Sequence, residues 1–264
     1  MHLARSLPPW RPLIVALAGG AMLGSAHAQN LDVVYVPTPP QVVARMLELA
    51  AVGPNDYVID LGSGDGRIAI GAVKRGAKAL GVDLDPARIA EAKANAKQAE
   101  VADKVTFRQE NLFQTDISEA TVLTLYLLPE INRKLRPRVL RLKPGTRVVS
   151  HDFDMGSWKA DRFEKLGASE IYYWVVPARV AGRWQVKVGE QEFTVRIRQQ
   201  FQRIRGSARI GRRAVSLRNA KLTGDEIEFA VNLGGKPVSL RGKVDGDKIG
   251  GKADAGAEWT ATRS

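Results

Sequence analysis

The sequence predicts a doubly wound α/β domain with a mostly parallel sheet, followed by a small antiparallel all-β module. Strand patterns alternate with helix patterns through the first two thirds of the chain, and this alternation implies parallel strands joined by right-handed crossovers. A glycine-rich loop connects the first of these strands to a helix. Near Ala181 the pattern changes to short alternating strands with frequent glycine turns, and a chain of 264 residues is long enough for both parts.

Within the predicted α/β domain, a proline-rich segment at residues 37–40 precedes the first helix, because proline prevents regular helix there. A helical pattern with one apolar face follows. Asp85 and Pro86 predict the start of a later helix, with Asp85 as the N-cap and Pro86 in the first helical position. We predict strands at residues 57–61, 79–83, 105–107, 122–127, 147–150 and 171–176, and helices at residues 67–75, 86–99 and 129–142.

In the last third of the chain, the pattern predicts an antiparallel meander of about eight strands. Such a meander can form a small barrel or half-barrel. Phe193, Val195 and Ile197 alternate with polar side chains, which is typical of a strand with one buried face. The predicted domain organisation is a leader at residues 1–28, the α/β domain at residues 29–180 and the β module at residues 181–264.

The leader has the pattern of a secretory signal peptide. Arg5 and Arg11 give a positive start, residues 13–23 form an apolar run of eleven residues, and residues 26–28 offer a small-residue cleavage site. This run is short for a membrane span, which needs about 20 residues. We therefore expect export to the periplasm, and the alternative is a membrane-anchored protein with an uncleaved leader.

Composition restricts the chemistry of the protein. The chain contains no cysteine, which excludes disulfides, thiolate metal sites and cysteine nucleophiles. His151 is the only histidine after the leader, which argues against a zinc site, and we predict no metal. The net charge is +12, and residues 181–264 carry +8 of it, with 17 basic and 9 acidic residues. The basic character therefore belongs mainly to the β module.

The glycine-rich loop has the form Asp-x-Gly-x-Gly-x-Gly over residues 60–66. Glycines let the main chain turn sharply and approach a ligand closely, at the N-terminus of a helix that favours an anionic group. The third glycine comes one residue earlier than in a dinucleotide-binding loop, and no Lys-Ser/Thr pair follows, which excludes a P-loop. Asp83 ends the next strand, 23 residues after Asp60, where ribose hydroxyls can be bound.

This spacing favours S-adenosylmethionine (SAM) as the cofactor, with the loop around the methionine carboxylate and Asp83 on the ribose. The alternatives are an ordinary tight turn between strand and helix for the loop, and a simple helix cap for residues 83–85.

Five segments together resemble a family of small SAM-dependent protein lysine methyltransferases with the class I, Rossmann-like fold, whose animal members modify the c subunit of ATP synthase and the adenine nucleotide translocase. The resemblance covers roughly residues 33 to 178. The segments that carry it are Tyr35-Val36-Pro37-Thr38-Pro39, residues 60–68, Gly81-Val82-Asp83-Leu84-Asp85, residues 126–132 and residues 144–151.

The resemblance implies that Asp60, Gly62, Gly64 and Asp83 bind SAM. It implies that the segment with Tyr35 closes over the site. After the third strand, Asn111 stands where an acid commonly holds the adenine amino group, and an amide oxygen can accept the same hydrogen bond. The predicted SAM-binding set is Tyr35, Asp60, Gly62, Ser63, Gly64, Asp65, Gly66, Asp83, Leu84 and Asn111.

The candidate catalytic residues are Tyr126, Pro129 and His151. Methyl transfer from a sulfonium is an in-line displacement, so the protein mainly aligns donor and acceptor. A lysine acceptor must also lose its proton, and an apolar channel lowers its pKa. The resemblance implies that the segment from Tyr126 to Pro129 lines this channel, and Tyr126 can also be a core residue. His151 can accept a proton, pair with a carboxylate or cap the strand end.

The sequence thus predicts a SAM-dependent methyltransferase acting on protein lysine. A small-molecule or lipid acceptor is one alternative, and a non-catalytic exported binding protein with this fold is another. Seven arginines between Arg196 and Arg213 predict either a solvated sheet face or a surface that docks on an anionic partner or membrane. Nucleic acid is not expected as a partner, because Phe201 is the only aromatic residue nearby for base stacking.

Overall fold

A computed structural model describes residues 36–264. The predicted leader at residues 1–28 and the predicted role of Tyr35 fall outside the described residues. Within residues 36–264, no helix combines the length and apolar character needed to cross a membrane.

The first sheet has seven strands in the order β3-β2-β1-β4-β5-β7-β6. Strands β1 to β5 are parallel, and β7 runs antiparallel to both β5 and β6. The strand order reverses between β1 and β4, which opens a crevice at the carboxyl ends of these strands. The strands are β1 Tyr57–Leu61, β2 Lys78–Asp83, β3 Val105–Gln109, β4 Val122–Leu125, β5 Arg147–His151, β6 Arg162–Leu166 and β7 Ser169–Val175.

Helices cover both faces of this sheet, which confirms the doubly wound α/β fold. Three of them pack on the face that includes Val58, and the fourth packs on the face that includes Ile59. Neighbouring residues on a strand point to opposite faces, and Val58 and Ile59 are both buried because helices cover both faces of the sheet. The helices are α1 Pro40–Leu49, α2 Arg67–Val73, α3 Pro86–Gln98 and α4 Pro129–Val139.

The structure differs from the predicted elements mainly at β6, which the sequence did not predict. This strand forms a hairpin with β7 at the edge of the sheet, and four of its five residues are exposed. Its side chains therefore do not show the apolar pattern of a buried strand. Strand β4 ends at Leu125 and helix α4 ends at Val139, both earlier than predicted.

The second sheet contains nine antiparallel strands, one more than the approximate number predicted. Its order is β11-β10-β9-β8-β16-β15-β14-β13-β12, so the first and last strands of the module pair in the middle. The strands are β8 Gly182–Val188, β9 Gln191–Gln200, β10 Arg203–Ile210, β11 Arg213–Ser216, β12 Arg218–Thr223, β13 Glu226–Leu233, β14 Lys236–Asp245, β15 Lys248–Ala253 and β16 Glu258–Arg263, with a short 3-10 helix at Asp254–Gly256.

The β module curls so that its two edge strands meet. Only Leu217 separates β11 from β12, and its N–H donates to the carbonyl of Gly206 in β10 over 2.9 Å. The inner face forms a separate apolar core, in which the rings of Phe229 and Trp259 meet edge to face at 5.7 Å. The separate all-β module is confirmed, whereas the boundary near Ala181 stays a prediction because residues 33–264 form one compact unit.

Candidate functional site

The glycine-rich loop lies at the carboxyl end of β1, where β1 and β4 diverge. Gly62, Gly64 and Gly66 have φ angles of +78°, +51° and +82°. Residues with a Cβ rarely adopt this left-handed region, so the main-chain path requires glycine at all three positions. Gly66 is also the N-cap of α2, so the loop runs directly into the amino end of this helix.

Two of these glycines are also required by packing within the protein. A Cβ on Gly62 would lie 2.8 Å from Cδ2 of Leu127, and a Cβ on Gly66 would lie 2.6 Å from Cζ of Phe107. Apolar side chains from the middle of β3 and from the segment after β4 therefore pack against the glycine loop. The spacing of the glycines predicted the turn, but these contacts depend on the fold.

Asp60 is a buried carboxylate at the base of the loop, 2% exposed. Its Oδ1 accepts a hydrogen bond of 2.7 Å from the hydroxyl of Thr124, and its Oδ2 has no hydrogen-bond partner among residues 36–264. Burial raises the pKa of Asp60 to about 7, and the carboxylates of Asp83 and Asp65 act in the same direction. A buried acceptor oxygen without a partner is costly, so the site favours a cationic or donor group beside Asp60.

The hydroxyl of Ser63 is a second buried group that finds no hydrogen-bond partner within the described part of the chain. It lies in the same loop, and its residue is 6% exposed. The methionine half of SAM carries an ammonium and a carboxylate, which can pair with the free oxygen of Asp60 and the hydroxyl of Ser63. The residues present therefore fit the cofactor that the sequence predicted.

Asp83 ends β2 next to the glycine loop and is half-buried. Its Oδ2 accepts from the N–H of Gly64 over 2.9 Å, and its Oδ1 accepts from the N–H of Asp85 over 3.0 Å. Each carboxylate oxygen has a further lone pair, so two ribose hydroxyls can still be bound. Leu84 is also half-buried, and its carbonyl accepts from the side chain of Gln109 over 3.2 Å.

Asp65 is held by Arg67 rather than left open to a ligand. The Nε of Arg67 donates to both carboxylate oxygens of Asp65 at 2.9 and 3.0 Å, and its Nη1 donates to the carbonyl of Thr38 over 2.8 Å. The side chain of Asn95 donates to the carbonyl of Asp65 over 2.9 Å. Asp65 thus connects the loop to α3 and to the segment before α1.

Asn111 begins a turn after β3. Its Oδ1 accepts from the N–H of Phe113 over 2.9 Å, and its carbonyl accepts from Gln114 and Thr115. The amide oxygen keeps one lone pair for another donor. Its contact with adenine stays a prediction.

Tyr126, the first residue after β4, belongs to a small group that we name the acceptor cluster: Tyr126, Asp152 and Phe153. The ring of Tyr126 lies 6.2 Å from the ring of Phe153, and its hydroxyl donates to Oδ2 of Asp152 at 3.4 Å. Burial, together with the charge of Asp152, raises the pKa of Tyr126, so its hydroxyl keeps its proton. The cluster adjoins the glycine loop through Leu127, which contacts Gly62.

His151 ends β5 beside this cluster, with both ring nitrogens engaged. Its Nδ1 lies 3.1 Å from the hydroxyl of Thr38, and its Nε2 lies 2.9 Å from the hydroxyl of Ser169. The residue is 1% exposed, and burial lowers its pKa although Asp152 partly opposes this effect. Its Nε2 also lies 3.3 Å from Oδ2 of Asp152, so this geometry fits both a structural residue at the strand end and pairing with a carboxylate.

Pro129 is the first residue of α4 and is half-buried, and the preceding Leu128 is 39% exposed. The sequence reasoning missed Thr124 and Asn132. Thr124 is the only polar residue of β4, a signal that could have found it. Asn132 is fully buried, and its Nδ2 donates to the carbonyl of Phe153 over 3.1 Å.

Comparison with known proteins gives matches over this same region. The family model described as the ANTKMT methyltransferase domain matches residues 60–162. A protein-lysine N-methyltransferase of Saccharolobus islandicus (strain REY15A) is 50% identical over 135 residues, which are 50% of this chain and 84% of that protein. The adenine nucleotide translocase lysine N-methyltransferase of Mus musculus is 30% identical over 132 residues, covering 49% of this chain and 57% of that protein.

A solved structure is also similar in sequence and fold. The crystal structure of an RNA methyltransferase from Salinibacter ruber in complex with S-adenosyl-L-homocysteine is 56% identical and has a TM-score of 0.54. The match covers 55% of this chain and 96% of that chain. The chain therefore belongs to the family of SAM-dependent methyltransferases that includes the ANTKMT methyltransferase domain and the archaeal protein-lysine N-methyltransferase.

Proposed function

We propose that this protein transfers a methyl group from SAM to the deprotonated amine of a lysine side chain in another protein. The observation that carries this proposal is the acceptor cluster, which brings a carboxylate and two aromatic rings together at Tyr126, the residue before the Leu127 that packs beside Gly62. A cationic amine is attracted by a carboxylate and by aromatic faces. The similarity to an enzyme named protein-lysine N-methyltransferase, at 50% identity, supports the same acceptor.

On the cofactor side, different residues of the site bind different parts of SAM. Asp60 and Ser63 hold the methionine head group, Asp83 binds the ribose, and Asn111 accepts from the adenine amino group. Bound SAM supplies an electrophilic methyl group on a sulfonium. The positive charges of SAM favour the ionised form of Asp60, which burial alone disfavours.

On the acceptor side, Asp152 attracts the lysine ammonium, and Tyr126 orients the nitrogen through its oxygen. Leu127 and Pro129 line the channel with apolar surface, which lowers the pKa of the lysine and releases its proton to water. We assign His151 a positioning role, since its two nitrogens already contact Thr38 and Ser169.

The test is incubation of the purified chain with tritiated SAM and cell extract. We expect label in protein, and methylated lysine after acid hydrolysis of that protein. Asp60→Asn is the inactive control, because it removes the negative charge that pairs with the cofactor. Label confined to lipid or to small molecules would contradict a protein acceptor and support the alternative enzyme class.

An RNA acceptor is the second candidate, favoured by one observation: the 56% identical solved structure is named an RNA methyltransferase. Treatment of the labelled extract with ribonuclease or with protease separates the two candidates. Loss of the label on ribonuclease treatment alone would replace lysine by RNA as the acceptor.

We also propose that residues 1–28 direct the protein out of the cytoplasm, with an uncleaved membrane anchor as the alternative. The apolar run and small-residue site support this proposal. SAM is made in the cytoplasm, so the side of the membrane matters for activity. An alkaline phosphatase fusion after residue 264 tests it, and an inactive phosphatase would place the C terminus in the cytoplasm.

The β module presents what we name the arginine face, formed by exposed side chains of β8, β9 and β10. Arg183 lies opposite Arg196, and Arg198 lies opposite Arg205, in the strand register. Like charges in directly opposite positions destabilise a sheet. No acidic residue occurs from Phe193 to Gly224 to offset them. The members of the face are Arg183, Arg196, Arg198, Arg203, Arg205 and Arg209.

We propose that the arginine face docks on an anionic surface, and the leader makes an acidic membrane the first such surface to test. The protein without residues 1–28 is mixed with phosphatidylglycerol vesicles and, as a control, with phosphatidylcholine vesicles. We expect salt-sensitive co-sedimentation with the first only. Equal binding to both, or none to either, would contradict the proposal.

A further inference from the structure

The hairpin between β9 and β10 contacts the loop that follows β5. Phe201 and Gln202 form the tip of this hairpin. Phe201 has a φ angle of +55°, a left-handed conformation that is uncommon for a bulky residue. Such a conformation persists when the surrounding structure holds it in place. The tip therefore has contacts that fix it.

Gln202 makes three hydrogen bonds to the loop. Its Oε1 accepts from the indole N–H of Trp158 over 3.1 Å. Its Nε2 donates to the carbonyl of Lys159 over 2.8 Å and to Oδ1 of Asp161 over 3.0 Å. One side chain of the β module thus satisfies groups on three residues at the far end of the loop.

Phe201 adds ring contacts to these hydrogen bonds. Its ring stacks on Trp158 with a centroid distance of 6.2 Å, and the guanidinium of Arg136 lies 5.7 Å from its centroid. Arg136 in turn donates from Nη1 to the carbonyl of Met155 over 2.7 Å. The hairpin tip, α4 and the loop therefore form one connected network.

The same loop, residues 152–161, begins with two members of the acceptor cluster. Asp152 is held by β7, where its Oδ1 accepts from the N–H of Glu170 over 2.8 Å. Phe153 is held by Asn132 of α4 through its carbonyl. The start of the loop is thus fixed within the α/β domain, and its end is fixed by the β module.

We propose that Phe201 and Gln202 are positioning residues for the methyl acceptor. By fixing the far end of the loop, they limit the movement of its backbone and so support the α/β-domain contacts that hold Asp152 and Phe153 near Tyr126. This inference rests on the proposed function, because the acceptor cluster is the proposed acceptor site. The β module then contributes to turnover as well as to docking.

The structural test is Gln202→Met in the full chain, since methionine has a similar length and lacks these hydrogen bonds. Gln185→Met is the matched control, because the side-chain Oε1 of Gln185 accepts from the hydroxyl of Thr194, over 3.1 Å, inside the β module. We expect amide hydrogen exchange in residues 155–161 to rise about tenfold in Gln202→Met, as local opening becomes easier. Exchange in the control, and in the glycine loop of both variants, stays at the wild-type rate.

The functional test uses the same variants with tritiated SAM and extract protein. We expect Gln202→Met to lower the initial rate at limiting acceptor about tenfold while the KM for SAM is unchanged. Phe201→Tyr, which keeps the ring, retains the wild-type rate. Unchanged exchange in Gln202→Met overturns the proposal, and so does increased exchange with an unchanged rate. If the wild type labels no protein, the proposed function fails, while the exchange result still decides whether the hairpin holds the loop.

Discussion

The hydroxyl of Thr124 donates a 2.7 Å hydrogen bond to one oxygen of Asp60, and the other oxygen of Asp60 is buried with no partner from the residues that the structure describes. The two residues face each other because β1 and β4 pair in register, with Asp60 opposite Thr124. One half of the carboxylate is thus satisfied by the protein, and the other half is available to the cofactor. The first two predictions follow from this arrangement.

Thr124→Val keeps the β-branched shape and removes the hydrogen bond to Asp60. We expect the Kd for S-adenosylhomocysteine at pH 7 to rise at least about tenfold, because a hydrogen bond to a charged group contributes roughly 1.5–3 kcal/mol. Thr106→Val, at an exposed position of β3, is the matched control. Calorimetric titration measures both, and equal affinities would refute the role of this bond.

Cofactor affinity is expected to increase from pH 6 to pH 8. Burial raises the pKa of Asp60 to about 7, so the carboxyl of Asp60 is largely protonated below pH 7 when no ligand is bound. Because this pKa lies above the unfolded value, the stability of the free protein falls as the pH rises through about 7. A cationic ligand requires the ionised form of Asp60. The increase in melting temperature that the ligand produces therefore grows from pH 6 to pH 8. Asp60→Asn should remove this pH dependence, and a wild-type shift that is constant with pH would disprove it.

Gly66→Ala tests the conformational requirement of the loop. The residue has a φ angle of +82°, and the added Cβ would lie 2.6 Å from Phe107. We expect a loss of at least about 1–3 kcal/mol in the free energy of unfolding, measured in urea. Gly53→Ala is the control, since nothing lies within 4 Å of its Cβ position. Adding Phe107→Leu should recover only the steric part of the loss.

We expect the free energy of unfolding to decrease at acid pH because His151 is buried. Burial lowers its pKa below the ordinary value of 6.5, so the folded protein resists its protonation. The unfolded chain then binds more protons below about pH 6.5, and the free energy of unfolding falls as the pH decreases through that value. His151→Gln should weaken this dependence in urea titrations at pH 5 and pH 7. If His151 were the catalytic base, the variant would instead lose turnover at every pH with unchanged stability.

Much of the fold could be predicted because the central strands of the first sheet are largely apolar, the strands of the β module alternate, and clear turn and helix signals separate them. The edge strand β6 was missed because its exposed, charged side chains give no buried pattern. Within the site, the glycines and Asp83 follow from local spacing. The contacts of Thr38 with His151 and of Gln202 with Trp158 join residues 113 and 44 positions apart, so they depend on the completed fold.

Binding of SAM by the glycine loop and Asp83 underlies every functional conclusion above, and calorimetric titration with S-adenosylhomocysteine is its direct test. We predict saturable binding of one ligand per chain by the wild type. We also predict at least about tenfold weaker binding by Asp83→Asn, which loses a charged partner for the ribose hydroxyls. Absence of binding to the folded wild type, or equal affinity of the variant, would show that the cofactor site is assigned wrongly.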